Sequence, residues 1–256
     1  MLDAESDDPV CGDRYAKRFM DEDGLRVFES FIPFTNPNAS NVARHRIIDD
    51  LLRERLVECP QSRIFLVGCG FDSRAYRLTG GTWIELDEAP LIAYKNQRLP
   101  VSECVNELNR LAIDFSTESL SEKLAGYSTD LPVYVVVEGV FMYLTGEQVR
   151  RLLDDLQKLF PQHELLCDLM SNRFFVKYSR PIHAKIQALG ATFRLTSDRP
   201  ERVFLESGYR LREKATIVGR AIEFGSMRIP KLIFKLFLRT LADGYAIHVF
   251  TNCPCR

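Results

Sequence analysis

Arg63-Ile-Phe-Leu-Val-Gly-Cys-Gly-Phe-Asp-Ser-Arg74 joins an apolar run of strand length to a loop with two glycines. Residues 63–67 predict a buried strand, because the run is short, apolar and closed by Gly68. Gly68 and Gly70 permit a tight turn and a close approach of a ligand to the backbone. Gly-x-Gly alone is weak evidence for a ligand site, because a plain tight turn explains about half of such matches.

Apolar runs and helical patterns alternate on both sides of this stretch. Thr145 with Gln148 forms a capping-box pattern, and the helix that it starts is stopped by Pro161. Further strands are predicted at 82–86, 110–114, 132–137, 164–167, 209–218 and 245–251, and further helices at 41–56 and 90–99. Apolar strands separated by helices indicate the α/β class, with a doubly wound and mostly parallel sheet covered on both faces. We expect one domain over 1–256, with an N-terminal helical arm at 1–40 and an insertion, partly a lid, at 172–240.

Charge and composition exclude several broad classes of protein. The 256 residues carry 34 basic and 35 acidic side chains, a net charge of -1, so no strong field attracts nucleic acid or an anionic membrane. The N-terminus is acidic where a secretory signal is basic, and no apolar run approaches the roughly 20 residues of a membrane span. Seven cysteines without framework spacing fit a reducing compartment. We therefore expect a soluble, cytoplasmic protein without a bound metal, and we read the pair Cys253 and Cys255 as a loose terminus.

Carboxylates follow several of the predicted strands, at the edge where doubly wound sheets bind ligands. Glu85 and Asp87 lie two residues apart and so share a face of their strand. A glycine loop followed about twenty residues later by an acid suits nicotinamide cofactors and S-adenosylmethionine alike. Glu138 closes the most apolar strand, as a binding residue or as a structural acid paired with an arginine of the first helix. Asp114, after the third strand, follows the same logic with less force.

Three motifs in this order resemble the leucine carboxyl methyltransferase family. They are Gly68-Cys-Gly-Phe-Asp-Ser-Arg-Ala-Tyr-Arg-Leu78, Glu85-Leu-Asp87 and Glu138-Gly-Val-Phe-Met-Tyr-Leu-Thr-Gly-Glu-Gln148, and the resemblance spans roughly 41–160. The family comprises class I S-adenosylmethionine-dependent methyltransferases, including bacterial and fungal enzymes that methylate carboxyl groups of small molecules such as polyketides. The resemblance implies a seven-stranded, Rossmann-like sheet and S-adenosylmethionine as the cofactor.

The resemblance also implies a role for each cofactor-binding residue. The broader class carries an acid two positions before the glycine loop, where this chain has Leu66, whereas the family carries one after the loop, matching Asp72. The arginine matched in the first helix is Arg44, and Arg46 is close enough in the sequence to be the matching residue instead. The implied contacts are Arg44 with the methionine carboxylate, Gly68 with the methionine part, Glu138 with the amino group, Asp87 with the ribose hydroxyls, and Asp114 with Phe115 at the adenine. Gly70 and Asp72, from the same loop as Gly68, are also implied to bind the cofactor.

The expected reaction is in-line transfer of a methyl group to an acceptor carboxylate. A carboxylate is ionised at neutral pH and needs no general base, which agrees with four histidines that show no catalytic grouping. For a hydroxyl acceptor the candidate catalytic residues are Tyr143 and His183. The acceptor is expected between the arm at 15–34 and the insertion. Phe28, Phe31 and Phe34 offer apolar contact there, whereas Arg14, Lys17 and Arg18 either hold its carboxylate or form a solvated helix face.

Two other classes of function stay open. A nicotinamide-dependent oxidoreductase has the same order of strand, glycine loop and acid, but Ser73 stands at its third glycine and no Tyr-x-x-x-Lys pattern occurs. A non-catalytic binding protein with the methyltransferase fold is the other alternative. The predicted partner is a small-molecule carboxylic acid or another oxygen acceptor, with no nucleic acid and no membrane, and the oligomeric state is not predicted.

Overall fold

The structure is a computed structural model that describes residues 1–194, 197–229 and 239–252. At its centre lies a seven-stranded sheet with the strand order β3-β2-β1-β4-β5-β7-β6. β1 to β5 are parallel, whereas β7 runs antiparallel to both β5 and β6. The strands are β1 (Arg63–Val67), β2 (Thr82–Asp87), β3 (Glu107–Ala112), β4 (Val133–Val137), β5 (Glu164–Met170), β6 (Arg210–Thr216) and β7 (Tyr245–Thr251).

Helices cover both faces of this sheet, as parallel strands with two apolar faces require. One apolar cluster packs α2 (Thr35–Glu58), α4 (Ala89–Arg98) and α10 (Ile217–Glu223) on one face, and a second packs α5 (Leu120–Lys123), α6 (Gly146–Leu159) and α9 (Arg202–Glu206) on the other. The predicted α/β class and the doubly wound, mostly parallel sheet are confirmed. The helices are α1 (Glu22–Phe31), α2 (Thr35–Glu58), α3 (Arg74–Arg77), α4 (Ala89–Arg98), α5 (Leu120–Lys123), α6 (Gly146–Leu159), α7 (Asn172–Phe174), α8 (Arg180–Ala188), α9 (Arg202–Glu206), α10 (Ile217–Glu223) and α11 (Arg239–Asp243).

The direction of chain winding reverses at β1. β2 and β3 lie on one side of β1, and the chain then crosses to β4 on its other side. All five residues of β4 are buried, which agrees with its unbroken β-branched and aromatic sequence. In open α/β sheets, ligands bind beyond the carboxyl ends of the strands at such a reversal. The loops that follow β1 and β4 are therefore the first place to look for a site.

The capping box predicted for α6 is confirmed. The Thr145 hydroxyl oxygen accepts a hydrogen bond from the Gln148 backbone N–H at 3.2 Å, and Gln148 Oε1 accepts one from the Thr145 N–H at 2.9 Å. The helix ends at Leu159, two residues before Pro161. Buried Val149, Leu153 and Leu156 form its apolar stripe.

Two elements begin earlier than predicted. α2 starts at Thr35 rather than at residue 41, because Pro37 lies in the first turn, where a helix tolerates a residue without an N–H. β3 spans Glu107–Ala112 rather than 110–114, because its register pairs Glu107 with Thr82 and Ala112 with Asp87. Asp114 consequently lies in the loop beyond the strand.

Several short helical elements follow β5. α7 leads into a π-helical turn, Phe175–Ser179, which continues into α8. We retain as a proposal the single domain over 1–256 with an arm at 1–40 and a partial lid within 172–240. Of that segment, residues 195–196 and 230–238 lie outside the described residues, as does the pair Cys253 and Cys255.

Candidate functional site

The loops after β1 and β4 touch at the winding reversal. Gly68 has a φ of 71°, and a Cβ built on it would lie 2.6 Å from Val140 Cγ2. Gly70 also has a positive φ, 47°, and a Cβ there would meet nothing within 4 Å. The first glycine is therefore required by the close approach of two loops, whereas the second faces open space.

That open space is a cavity of about 330 Å³, which we call the loop cavity. It reaches from the glycine loop to the carboxyl end of β4, and its floor is formed by Leu66 and Val136 of the sheet. Of the predicted cofactor-binding residues, five line it: Arg44, Gly68, Gly70, Asp72 and Glu138. Asp87, Asp114 and Phe115 lie outside its lining.

Glu138 is held between two arginines. Its Oε1 accepts a hydrogen bond from Arg44 Nε at 2.7 Å, and its Oε2 lies 2.8 Å from Arg74 Nη1. Burial alone would raise the pKa of Glu138, but the charges of Arg74, His45 and Arg44 outweigh it and hold the pKa well below its usual range. The carboxylate is therefore ionised and paired, as the structural reading of the sequence expected, and it also lines the loop cavity.

Arg44 is oriented by three groups from different parts of the chain. Besides Glu138, it contacts Asp168 of β5, with Nη1 at 3.2 Å from Oδ2, and its Nη1 donates to the Tyr245 hydroxyl at 2.8 Å. Asp168 also accepts from the Gly139 N–H at 2.6 Å and from the Tyr245 hydroxyl at 2.7 Å. Arg44 thus commits Nε and Nη1 to the protein, while its Nη2 makes no hydrogen bond within the described part of the chain.

Arg74 carries the same network toward the glycine loop. It is fully buried, its Nε donates to Asp49 Oδ1 at 2.6 Å, and its Nη1 contacts Asp72. Its Nη2 lies 3.0 Å from His45 Nδ1. The predicted Asp72 is therefore at the cavity wall, with its carboxylate engaged by Arg74.

His45, Asp72 and Glu138 have ligand atoms that all lie within 4.8 Å of one another, a spacing that a metal ion could use. The guanidinium of Arg74 contacts all three side chains. Because the positively charged Arg74 already contacts all three potential ligands, these residues do not favour a metal ion. That the protein holds no metal stays a prediction.

The two carboxylates at the end of β2 have different roles. Asp87 Oδ2 accepts from the Gly70 N–H at 2.7 Å, and Oδ1 accepts from the Glu88 N–H at 2.8 Å, so Asp87 braces the glycine loop. Glu85 is fully buried and pairs with Lys95 at 2.9 Å and Arg110 at 2.7 Å. The expectation that Glu85 faces a ligand together with Asp87 is wrong, because these two internal cations hold it.

Asp114 and Phe115 lie at the outer rim of the same edge. The Asp114 carboxylate is exposed and accepts from the Ser116 backbone N–H and from the Thr117 hydroxyl. The hydrogen bonds from Ser116 and Thr117 lower its pKa. Phe115 is 39% exposed. Neither residue contacts the loop cavity, although the Ile113 N–H is bonded to the Asp87 carbonyl, which places both next to Asp87.

The N-terminal arm, expected from the sequence to border the acceptor, closes one side of the loop cavity. Asp13, Ala16, Phe19 and Met20 line it. The Phe19 ring stacks on Phe71 of the glycine loop at 4.9 Å. The Ser73 hydroxyl donates to Asp13 at 2.6 Å, so the residue that replaces the third glycine ties the arm to the loop.

A larger cavity of about 670 Å³ lies beside the loop cavity, and we call it the large cavity. Both cavities have Arg44 in their walls. The lining of the large cavity combines the start of α2, the loop after β4, the π-helical turn with α8, and the start of β7. The predicted Tyr143 and Phe34 line it.

His183 and the three cations of the arm lie elsewhere. His183 is buried, its Nε2 accepts from the Phe193 N–H at 3.0 Å, and it is outside the lining of both cavities. Arg18 pairs with Glu103, Lys17 pairs with Glu5, and the Arg14 guanidinium donates to Tyr15 at the surface. None of the three is in the described lining of either cavity, which favours the interpretation of these cations as solvated side chains.

No helix in the described ranges is both long enough and apolar enough to cross a bilayer.

This fold is that of class I S-adenosylmethionine-dependent methyltransferases. Magnesium protoporphyrin IX methyltransferase (ChlM) from Synechocystis PCC 6803, solved with bound SAH, is similar with a TM-score of 0.53 and 12% identity, covering 84% of this chain and 86% of that one. Geranyl diphosphate C-methyltransferase from Streptomyces coelicolor A3(2) is similar with a TM-score of 0.50 and 12% identity, covering 80% of each chain. At such low identity the likeness concerns the fold.

Within that class, the chain belongs to the leucine carboxyl methyltransferase family, whose model matches residues 1–157. A provisionally named S-adenosyl-L-methionine-dependent methyltransferase of Parafrankia sp. (strain EAN1pec) is 32% identical over 128 residues, 48% of this chain and 41% of that protein. The S-adenosyl-L-methionine-dependent methyltransferase dpfgK of Gibberella zeae is 24% identical over 240 residues, 88% of this chain and 80% of that protein. Over the first matched relatives, the alignment spans 41% to 61% of their length.

Proposed function

We propose that this protein is an S-adenosylmethionine-dependent O-methyltransferase that acts on a carboxylate of a small molecule, such as a polyketide. The observation that carries the proposal is the pair of cavities at the winding reversal. A cavity beside the glycine loop, lined by the charged Asp13, Asp72 and Glu138, and a larger cavity with a single charged residue in its described lining both have Arg44 in their walls. A charged cofactor and an apolar acceptor fit these two environments.

The loop cavity suits the cofactor by the chemistry of its walls. Gly70 leaves open space where a Cβ would stand, and Gly68 lets the loop approach Val140. Glu138 offers a carboxylate to the cofactor's amino group, and Arg44 Nη2, which has no hydrogen-bond partner among the described residues, offers donors to the cofactor's carboxylate. We propose that Asp87 holds the ribose hydroxyls, with Asp114 and Phe115 at the adenine and Asp72 positioned by Arg74. Arg46 is the weaker alternative to Arg44, since its guanidinium binds Asp50.

The cofactor supplies an electrophilic methyl group, and the protein's task is to align the acceptor with it. Orientation of two reactants can contribute about 7–11 kcal/mol in well-positioned systems. A carboxylate acceptor needs no proton removed. Tyr143, a wall residue of the large cavity, is the side chain that we propose for acceptor contact, in preference to His183, whose Nε2 is bound to the backbone.

The alternatives from the sequence have weaker support. A nicotinamide enzyme would need a glycine where Ser73 instead ties the arm to the loop through Asp13. A non-catalytic protein that only bound the cofactor would not need the large cavity beside the loop cavity, and this disfavours the second alternative. A cytoplasmic location, small-molecule partners and no bound metal belong to the same proposal.

Calorimetric titration of the full chain with S-adenosylmethionine, S-adenosylhomocysteine and NADH tests the cofactor. Micromolar binding of the two adenosyl compounds, with none of NADH, is expected. Methylated products are then collected from a set of aromatic and aliphatic acids and treated with mild alkali, which hydrolyses methyl esters and leaves methyl ethers intact. Absence of adenosyl binding by the folded protein refutes the proposal, and alkali-stable products refute the carboxylate.

A further inference from the structure

The large cavity has one charged side chain in its described lining, Arg44. Two nitrogens of Arg44 are already bonded to Glu138 and Asp168. The carboxylate to be methylated would meet the positive charge that S-adenosylmethionine carries on its sulfur, whereas a second anionic group on the acceptor would find no uncommitted cation in the described lining, and an unpaired buried charge is strongly unfavourable. Over its described lining, the cavity accordingly suits an acceptor with a single carboxylate.

The wall opposite to α2 carries a rarer feature. Residues Phe175–Ser179 form a π-helical turn between α7 and α8, and Tyr178 and Ser179 of that turn line the large cavity. π-Helical turns are uncommon, and they occur frequently at functional sites. The turn places an aromatic side chain with a polar end in a wall that is otherwise mainly apolar.

The hydroxyl of Tyr178 is buried and makes no hydrogen bond in the described part of the chain. Most buried polar atoms in native proteins are bonded, and a buried hydroxyl without a partner is costly. Neighbouring contacts do not satisfy it, because Phe174 packs on its ring at 5.4 Å and the Lys177 ammonium lies 5.2 Å from the ring centroid. Because Tyr178 also lines the large cavity, an occupant of that cavity is the candidate partner for this hydroxyl.

We infer that the acceptor is an amphipathic monocarboxylic acid, and that the Tyr178 hydroxyl recognises a second, uncharged oxygen on its apolar body. This inference rests on the proposed function, since it names the acceptor class of the same site. Tyr178 is a specificity-determining residue in this account. It selects oxygenated acids over hydrocarbon acids without taking part in methyl transfer.

Binding of three kinds of ten-carbon acid tests this inference. Decanoic acid, hydroxydecanoic acids with the hydroxyl on the third, sixth or tenth carbon, and decanedioic acid are titrated calorimetrically into the full chain, with and without S-adenosylhomocysteine. The variants are Tyr178→Phe and, as a matched control, Tyr127→Phe, whose ring packs against Phe65 in the apolar cluster on the other face of the sheet. Both substitutions remove one hydroxyl and keep the ring.

The expected result is that at least one hydroxydecanoic acid binds roughly three- to tenfold more tightly than decanoic acid, the worth of one hydrogen bond. Tyr178→Phe abolishes that preference and leaves decanoic acid binding unchanged, whereas Tyr127→Phe keeps the preference. Decanedioic acid binds at least tenfold more weakly than decanoic acid.

Equal binding of all three kinds of acid, no binding of any of them, or a preference that survives Tyr178→Phe overturns the inference. These outcomes are separate from failure of the proposed function, which shows itself as absence of S-adenosylhomocysteine binding. Acids that bind in the expected order without adenosyl binding would keep the recognition by Tyr178 and reject methyl transfer.

Discussion

Replacing Asp87 by Asn is the sharpest single test of the cofactor site. The substitution keeps the size and shape of the side chain and removes its charge. In the structure, the two carboxylate oxygens accept from the Gly70 and Glu88 backbone N–H groups at 2.7 and 2.8 Å. An amide has one acceptor oxygen, so it keeps at most one of these two hydrogen bonds.

Two effects with different sizes follow from this loss. Losing one backbone hydrogen bond at the protein surface costs about 1 kcal/mol of unfolding free energy. Hydrogen bonds from the ribose hydroxyls to a charged acceptor are worth about 1.5–3 kcal/mol, so the dissociation constant of S-adenosylhomocysteine should rise roughly 10- to 150-fold. The protein therefore stays folded while its cofactor affinity falls.

Calorimetric titration with S-adenosylhomocysteine, alongside urea unfolding of the same samples, measures both effects. Asp130→Asn is the matched control, because Asp130 is exposed and lies before the amino end of β4, away from the ligand edge. The control should leave the dissociation constant unchanged. An Asp87→Asn variant that binds S-adenosylhomocysteine like the unmodified protein would refute the ribose assignment.

Three further predictions concern stability. Glu138→Gln should lower the unfolding free energy by about 3 kcal/mol in urea, because two buried guanidinium groups lose their shared charge; a loss below about 1 kcal/mol would contradict the network. Thr145→Ala should cost about 1 kcal/mol through the lost helix cap, also measured in urea, and no measurable change would mean that the cap is dispensable. Burial and the charge of Lys214 lower the pKa of His248 to about 4. The unfolded chain therefore binds more protons than the folded one between about pH 4 and pH 6.5, so the unfolding free energy decreases as the pH is lowered below about 6.5. From pH 7.5 to pH 5, His248→Phe should lose about 2 kcal/mol less than the unmodified protein, and equal losses would rule out His248 as the cause.

The fold was predictable because local patterns and tertiary packing agree. β1, β4 and α6 are defined by apolar runs, a closing glycine and a capping box, all of which are read within a few residues. β3 was misplaced because its position is set by register with β2. Pairing between strands depends on residues that are far apart in the sequence, and no local pattern near residue 107 records it.

The residues that line the loop cavity were predictable in the glycine loop and at Glu138, whereas the ion-pair partners of Glu138 were less so. Arg74, which pairs with Glu138, lies in the glycine-loop motif at 68–78, but no local pattern indicates its contacts with Asp49 and Asp72, which arise only from folding. Asp168 was recognisable as a candidate from the sequence, because an acid inside the apolar run of a central strand indicates a buried and paired carboxylate. Glu85 had the same signal as Asp87, and only the positions of Lys95 and Arg110 separate a structural acid from one at the ligand edge.

Arg44 forms part of both cavity walls, so ligands in the two cavities would have one cation as a common neighbour. If an anion in the loop cavity pairs with that positive charge, the charge that an occupant of the large cavity encounters is reduced. Linkage requires such coupling to be reciprocal. If the first ligand alters the affinity of the second by a given factor, the second alters that of the first by the same factor, so the order of addition leaves the total binding free energy unchanged.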